Sequence, residues 1–145
     1  MMKQTPIKTV STLTDSQLEE LVELYKNEFW CRDRTRDDVR QMLENTDVVI
    51  ALLNETDNLV GFVRVLTDYI YKATIYDLIV KKDQRGNRLG KLLMYKVIHH
   101  SKLQKVRHFD LDCPPDMVDF YEKWGFSTKI KSESGNILHM RRVNI

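Results

Sequence analysis

Apolar side chains recur along this chain at two spacings, every three to four residues or every second residue, and the switches between them lay out the elements. Thr14-Asp15-Ser16-Gln17 has the spacing of a capping box, and Leu18, Leu21, Val22, Tyr25 and Phe29 follow at helical intervals. A first helix is predicted from about Ser16 to Phe29. Thr35 with Asp38 three residues on repeats the start signal, and Val39, Met42 and Leu43 form the buried face of a shorter second helix. Asp47–Leu53 and Leu59–Thr67 are β-rich runs either side of the polar turn NETDN and read as a hairpin. Ala73–Val80, ATIYDLIV, is a third strand whose apolar character predicts burial on both faces. Leu89, Leu92, Leu93, Val97 and Ile98 then form a stripe opposite Lys91, Lys96, His99 and Lys102, an amphipathic helix over Gly90–Leu103. Val106–Cys113 is a strand ended by Pro114-Pro115. Asp116 starts a last helix through Met117, Phe120, Tyr121 and Trp124, stopped by Gly125, and Phe126–Ile130 and Ile137–Arg142 close the chain as strands around SESGN.

The order α-α-β-β-β-α-β-α-β-β is a mixed α/β arrangement with one parallel crossover around the central helix and hairpins elsewhere. A single βαβ unit argues against a doubly wound sheet. No proline- or serine-rich linker divides the 145 residues, so they read as one domain, 1–145. At that size roughly two-thirds of the unfolded surface can be buried. A hydrophobic share of 42%, a charged share of 30% and a formal charge of +2 exclude a general polyanion binder, so no nucleic-acid partner is expected. The longest apolar run, Val48–Leu53, is far short of the roughly 20 residues of a membrane helix, and no membrane partner is expected either. Cys31 and Cys113 lack paired spacing and MMKQTPIKTVSTLTD contains no apolar leader, which points to a reducing, cytoplasmic setting.

The positive charge is local. KKDQRGNRLGKLL, residues 81–93, packs five cationic side chains and two glycines between a strand and a helix. It is not a Walker loop, because three residues separate Gly86 from Gly90 and Leu92 follows Lys91 where a Ser or Thr would hold magnesium. It is not a dinucleotide fingerprint, for want of a third glycine and a repeated βαβ unit. What remains is general: unsatisfied N–H groups at a helix start, the positive end of its dipole and cationic side chains can hold a diphosphate without metal. A solvated basic turn capping a helix explains the charge equally well.

VDFYEKWGF, Val118–Phe126, follows the next strand. Taken with strand, QRGNRLG, helix and strand, it resembles the GCN5-related N-acetyltransferase (GNAT) family, with specific motifs in residues 73–126 and the order of elements matching over the whole chain. GFVRVLTDYIYKATIYDLIV looks like the third and fourth strands of bacterial members. The resemblance implies the GNAT acyl-CoA acyltransferase fold, a mostly antiparallel mixed sheet with a central βαβ crossover and splayed central strands. It also implies acetyl-coenzyme A as acyl-donor co-substrate. By position, Leu78, Ile79 and Val80 pair with the pantetheine arm, and Arg85, Gly86, Asn87, Arg88, Leu89, Gly90 and Lys91 cradle the pyrophosphate. Arg88 stands where the family pattern has its first glycine. An arginine still offers its N–H there, but it cannot enter glycine-only backbone conformations.

Acetylating an amine needs a base for its proton and an acid for the departing thiolate. Tyr121 fills the second role by resemblance, since the family's tyrosine in FYEKxGF reaches the cofactor sulfur. Asp77, in the middle of the fourth strand, is expected to be the base, directly or through a water, with Asp112 and Asp68 as alternatives. Backbone N–H groups near Ile79 could stabilise the oxyanion. Cys113 has no histidine placed beside it by a local motif and reads as a small buried hydrophobe rather than a nucleophile. His99, His100, His108 and His139 lack metal-ligand spacing, so no metal is expected.

FWCRDRT, Phe29–Thr35, lies between the two early helices, which in the family cover the acceptor. Trp30, Arg32 and Arg34 could bind an amine that also bears a carboxylate or phosphate; a solvated loop anchored by one tryptophan is the other reading. A small-molecule amine is the expected acceptor, with direct attack in a ternary complex and a homodimer plausible by resemblance. A non-catalytic acetyl-coenzyme A sensor or interaction module is the alternative.

Overall fold

The computed structural model describes residues 6–28, 30–131 and 137–144, with the side chains of residues 129–131 left aside. The expected end of the first helix at Phe29 and the SESGN turn fall outside these residues. In chain order the elements are β1 (Lys8–Val10), α1 (Asp15–Lys26), α2 (Arg36–Glu44), β2 (Val48–Leu53), β3 (Leu59–Thr67), β4 (Lys72–Val80), α3 (Leu89–Ile98), β5 (His108–Cys113), α4 (Val118–Glu122), β6 (Ser127–Lys131) and β7 (Leu138–Val143). The strands run β1-β2-β3-β4-β5-β7-β6 in one mixed sheet. β4 and β5 pair in parallel around α3, while β1–β2, β5–β7 and β6–β7 are antiparallel.

Several expectations shift. β1 was not anticipated: three residues are too few for a period, and the strand is defined by its ladder against Ala51–Leu53. The central helix ends at Ile98 rather than Leu103; His100 caps a short 3-10 turn over Ser101–Leu103. β4 is not buried on both faces. Ala73, Ile75 and Ile79 are buried, but Tyr76 between them is 39% exposed.

Two compact units are built, residues 1–64 with 77–95 and residues 65–76 with 96–145, and the chain passes from one to the other within β3, β4 and α3. In the first, both predicted helix starts form as the sequence specifies. Thr14 Oγ1 accepts from Gln17 N–H (3.2 Å) while Gln17 Oε1 accepts from Thr14 N–H (3.0 Å), and Thr35 Oγ1 accepts from Asp38 N–H (3.1 Å). Each cap of this kind contributes about 1 kcal/mol. The apolar face of α1 (Leu18, Leu21, Val22, Leu24, Tyr25) shares a buried cluster with Val39, Ala51, Leu53, Leu59, Phe62 and Ile79. Tyr25 meets Phe62 edge-on, with ring centroids 6.4 Å apart. Burying each large apolar side chain contributes roughly 1.5–3 kcal/mol.

In the second unit the buried residues include Leu103, Val106, Phe109, Leu111, Tyr121, Phe126 and Met140. α4 runs only from Val118 to Glu122, shorter than the expected span from Asp116 through Trp124; the turn after it closes at Gly125, whose φ of +88° favours a residue without a Cβ. Arg142 Nη1 donates to Trp124 O (3.1 Å), satisfying a carbonyl just beyond that helix.

Candidate active site

In the first unit the basic loop begins where β4 ends. Lys81 N–H donates to Val60 O (2.9 Å), closing the strand, and Gln84 N–H donates to Lys81 O (2.8 Å) in a tight turn. Gly86 then takes φ +94° with no atom within 4 Å of where a Cβ would stand. The glycine is therefore required for its backbone conformation, not for space. Arg88 takes φ +62°, inside the small left-handed region open to L-residues. Its substitution for the family glycine is thus accommodated, at a cost of about 1–2 kcal/mol.

α3 starts directly after Arg88, whose carbonyl accepts from Leu92 N–H (3.1 Å). An arginine side chain has only donors, so the residue before this helix cannot cap the first-turn amides as Thr14 and Thr35 do. Those amides, with Arg88 and Lys91 exposed beside them, suit an anion. Arg85 is held back: its Nη2 pairs with Glu28 Oε1 (2.8 Å) and its Nε donates to Val80 O (3.2 Å). A cavity of about 410 Å³ is lined by Leu24, Asn27, Glu28, Ile79, Val80 and Arg85, among others.

Asp77, within β4, takes φ +59°. Its carboxylate is 3% exposed and crowded with donors. Oδ2 accepts from Tyr25 Oη (2.9 Å), Arg34 Nη1 (2.7 Å) and Arg64 Nε (2.6 Å), and Oδ1 from Arg34 Nη2 (3.3 Å). Burial alone would raise its pKa, but the bonds and charges of Arg34 and Arg64 outweigh burial and hold it below the ordinary aspartate range. A carboxylate so satisfied has little affinity for a proton, so the geometry disfavours Asp77 as the general base. The same contacts redirect Arg34, expected to meet the acceptor: it is bound to Asp77 and sits 4.5 Å over the Tyr25 ring and 5.7 Å from the Trp30 ring. Trp30 itself is 45% exposed, and Arg32 is exposed as well. Burial, then the nearby Asp77 charge, pushes the Tyr25 phenol far above its ordinary value, so it stays a donor.

The alternative bases are also engaged. Asp68 accepts backbone N–H bonds from Ile70 (2.9 Å), Tyr71 (2.8 Å) and Lys72 (3.1 Å), closing its turn. Asp112 Oδ1 is 2.8 Å from His139 Nδ1. No partner for Asp77 was legible locally, since Arg34 and Arg64 are 43 and 13 residues away. The available signal was a lone carboxylate in an apolar strand, which demands partners when buried.

In the second unit Tyr121 is buried on α4, edge-on to Phe120 (5.0 Å) and Phe126 (6.0 Å). Burial, aided by Cys113, raises its pKa well above the usual phenol value, so the hydroxyl keeps its proton at neutral pH. Cys113 is buried beside Met140 Sδ (3.6 Å), and burial pushes its thiol up to about 11, which leaves almost no thiolate at neutral pH. Among the described residues no group of three His, Cys, Asp or Glu side chains could hold a metal ion, and no helix is long and apolar enough to cross a membrane.

A family profile described as "Acetyltransferase (GNAT) domain" matches residues 10–140. The chain is 32% identical over 120 residues to a protein named "Uncharacterized N-acetyltransferase ycf52" from Pyropia yezoensis, covering 81% of this chain and 68% of that one. It is 24% identical over 115 residues to "Serotonin N-acetyltransferase 2, chloroplastic" from Oryza sativa subsp. japonica, covering 77% of this chain and 58% of the relative. Among solved structures it is similar to an acetyltransferase of the GNAT family from Staphylococcus aureus Mu50, with TM-score 0.74, 22% identity and coverage of 95% and 99% of the two chains.

Proposed function

The chain belongs to the GNAT family of acetyltransferases, and from that premise we propose that it transfers the acetyl group of acetyl-coenzyme A to the primary amine of a small molecule, by direct attack in a ternary complex. The observation that carries the reading is the start of α3. Positive φ at Gly86 and Arg88 leads into a helix whose preceding residue, Arg88, carries no side-chain acceptor to cap the first amides. Arg85–Lys91 would hold the diphosphate by backbone N–H groups and the helix dipole. Leu78, Ile79 and Val80 would offer strand backbone to the pantetheine arm; Arg85 must then leave the Val80 carbonyl. When bound, the co-substrate supplies an activated thioester. Tyr121 would donate the proton that the thiolate takes, and burial keeps that proton available across the neutral range.

A short acceptor loop between α1 and α2, and a relative named for serotonin acetylation, favour a small amine over a protein substrate. The exposed Trp30 face supports an acceptor with an apolar or aromatic part. Thiol release from acetyl-coenzyme A against amino sugars, amino acids, arylalkylamines, polyamines and peptides tests the reading. At least one amine is expected to release thiol, and Tyr121→Phe should cut its kcat about 100-fold with acetyl-coenzyme A affinity unchanged. Binding without release from any amine would favour a sensor module instead.

A further inference from the structure

A non-glycine residue at φ +59° inside a strand costs about 1–2 kcal/mol, and such conformations persist only where the surroundings over-determine them. At Asp77 the surroundings come from three elements. Tyr25 belongs to α1, Arg64 to β3, and Arg34 to the loop between α1 and α2. Within that loop Cys31 is buried and its Sγ donates to Tyr25 O (3.5 Å), and Arg34 supplies the bonds to β4. Its backbone bonds include Cys31 N–H to Glu28 O (3.3 Å) and Arg34 N–H to Cys31 O (3.2 Å), both short-range. Arg34 grips Asp77 with both terminal nitrogens, the fork arrangement that fixes a guanidinium in orientation as well as place. The Trp30 ring, 45% exposed, also neighbours that guanidinium, 5.7 Å from its centre.

We propose that Asp77 is a positioning residue, whose carboxylate locks its own left-handed backbone conformation in β4 and, through Arg34, fixes residues 30–35 as a preset wall for the amine acceptor. The lock itself stands on the contacts; what the wall is for rests on the acetyl-transfer reading. A base must present a free oxygen to its proton, and the oxygens of Asp77 are turned toward Tyr25, Arg34 and Arg64. A positioning carboxylate needs the reverse, full engagement.

Amide hydrogen exchange on the ligand-free chain tests the lock. Asp77→Asn should speed exchange at Cys31 and Arg34 about tenfold through local opening. Arg34→Gln should do the same from a partly exposed position, and the double variant should go no further than the larger single effect. With each amine that the wild type turns over, Asp77→Asn should raise the amine KM about tenfold, change kcat little and keep the acidic limb of the pH–rate profile. Unchanged exchange in both single variants would overturn the lock. Loss of the acidic limb with a large fall in kcat would overturn the positioning role and return Asp77 to the base. A wild type that fails to bind acetyl-coenzyme A by calorimetry would sink the acetyl-transfer reading, while the exchange result would still decide the lock.

Discussion

Two buried aspartates, one in each compact unit, solve the same electrostatic problem in different ways. Asp110 on β5 is 1% exposed and takes Arg141 Nε at 2.7 Å, Arg141 Nη2 at 2.9 Å, Lys72 Nζ at 3.1 Å and His139 Nε2 at 3.2 Å. Arg141 is its direct partner across the β5–β7 ladder, and Thr74, two residues along β4 from Lys72, is its register partner on the other side. Its backbone stays in the sheet. Asp77 has equally many donors, but its backbone takes a left-handed φ of +59° within β4, and its partners come from a helix, a strand and a loop. A regular ladder delivers cross-strand charge pairs without further cost. A carboxylate that holds strained backbone and a distant loop indicates a local geometry kept for use. Asp110 is therefore read as part of the scaffold and Asp77 as part of the site.

The largest expected effect breaks the comparison at Asp77. Asp77→Ala leaves two guanidinium groups without their carboxylate and should cost about 3 kcal/mol, toward the low end for a broken buried pair because Arg34 is partly exposed; denaturant melts measure it. Asp110→Ala should cost less, about 2 kcal/mol, since Lys72, His139 and Arg141 are each partly exposed and can turn to water. It should leave exchange at Cys31 and Arg34 at wild-type rates, and equal acceleration there would erase the distinction between scaffold and site.

Acid sharpens the contrast further. In both aspartates burial opposes ionisation and is outweighed, by Arg34 and Arg64 in one case and by Arg141 and Lys72 in the other, so both titrate below the ordinary range. With folded values depressed, the stability they contribute is fully present above the unfolded aspartate pKa of about 3.9 and is lost as pH falls from there through the folded values. Melts from pH 7 down to about 5 should show no loss from these groups, and the fall below about pH 4 should be shallower in Asp110→Asn. The smallest effect separates two left-handed residues. Arg88, exposed at φ +62°, holds nothing in place that the contacts reveal, so Arg88→Gly should gain about 0.5 kcal/mol by relieving strain. Asp77→Gly relieves the same kind of strain yet should still be destabilised, by about 2 kcal/mol, because the charge cluster comes apart.

How much of this was legible follows from the range of each signal. Capping residues and apolar spacing act over a few positions, and they located all four helices and the strands from β2 onward, with Thr14–Gln17 and Thr35–Asp38 bonding as their spacing required. β1 escaped because pairing alone defines it. The basic loop at the start of α3 was singled out from the sequence, its proposed role coming from family resemblance, and Arg88 takes a left-handed φ open to any L-residue at moderate cost. The partners of Asp77 and Asp110 were not readable, because side-chain contacts across 43 and 31 residues depend on register and loop path, which periodicity does not encode. The role expected of Asp77 is read differently for the same reason: alone in a strand it looks available, whereas Tyr25, Arg34 and Arg64 all bond to its carboxylate.

Isothermal titration of the chain with acetyl-coenzyme A tests the central claim most directly. The account expects saturable 1:1 binding that weakens at least tenfold when Arg88 and Lys91 are both changed to Glu, since like charge then faces the diphosphate at the α3 start. Correctly folded protein that takes up neither acetyl-coenzyme A nor the free thiol form, or that binds it equally well with both glutamates in place, would contradict it.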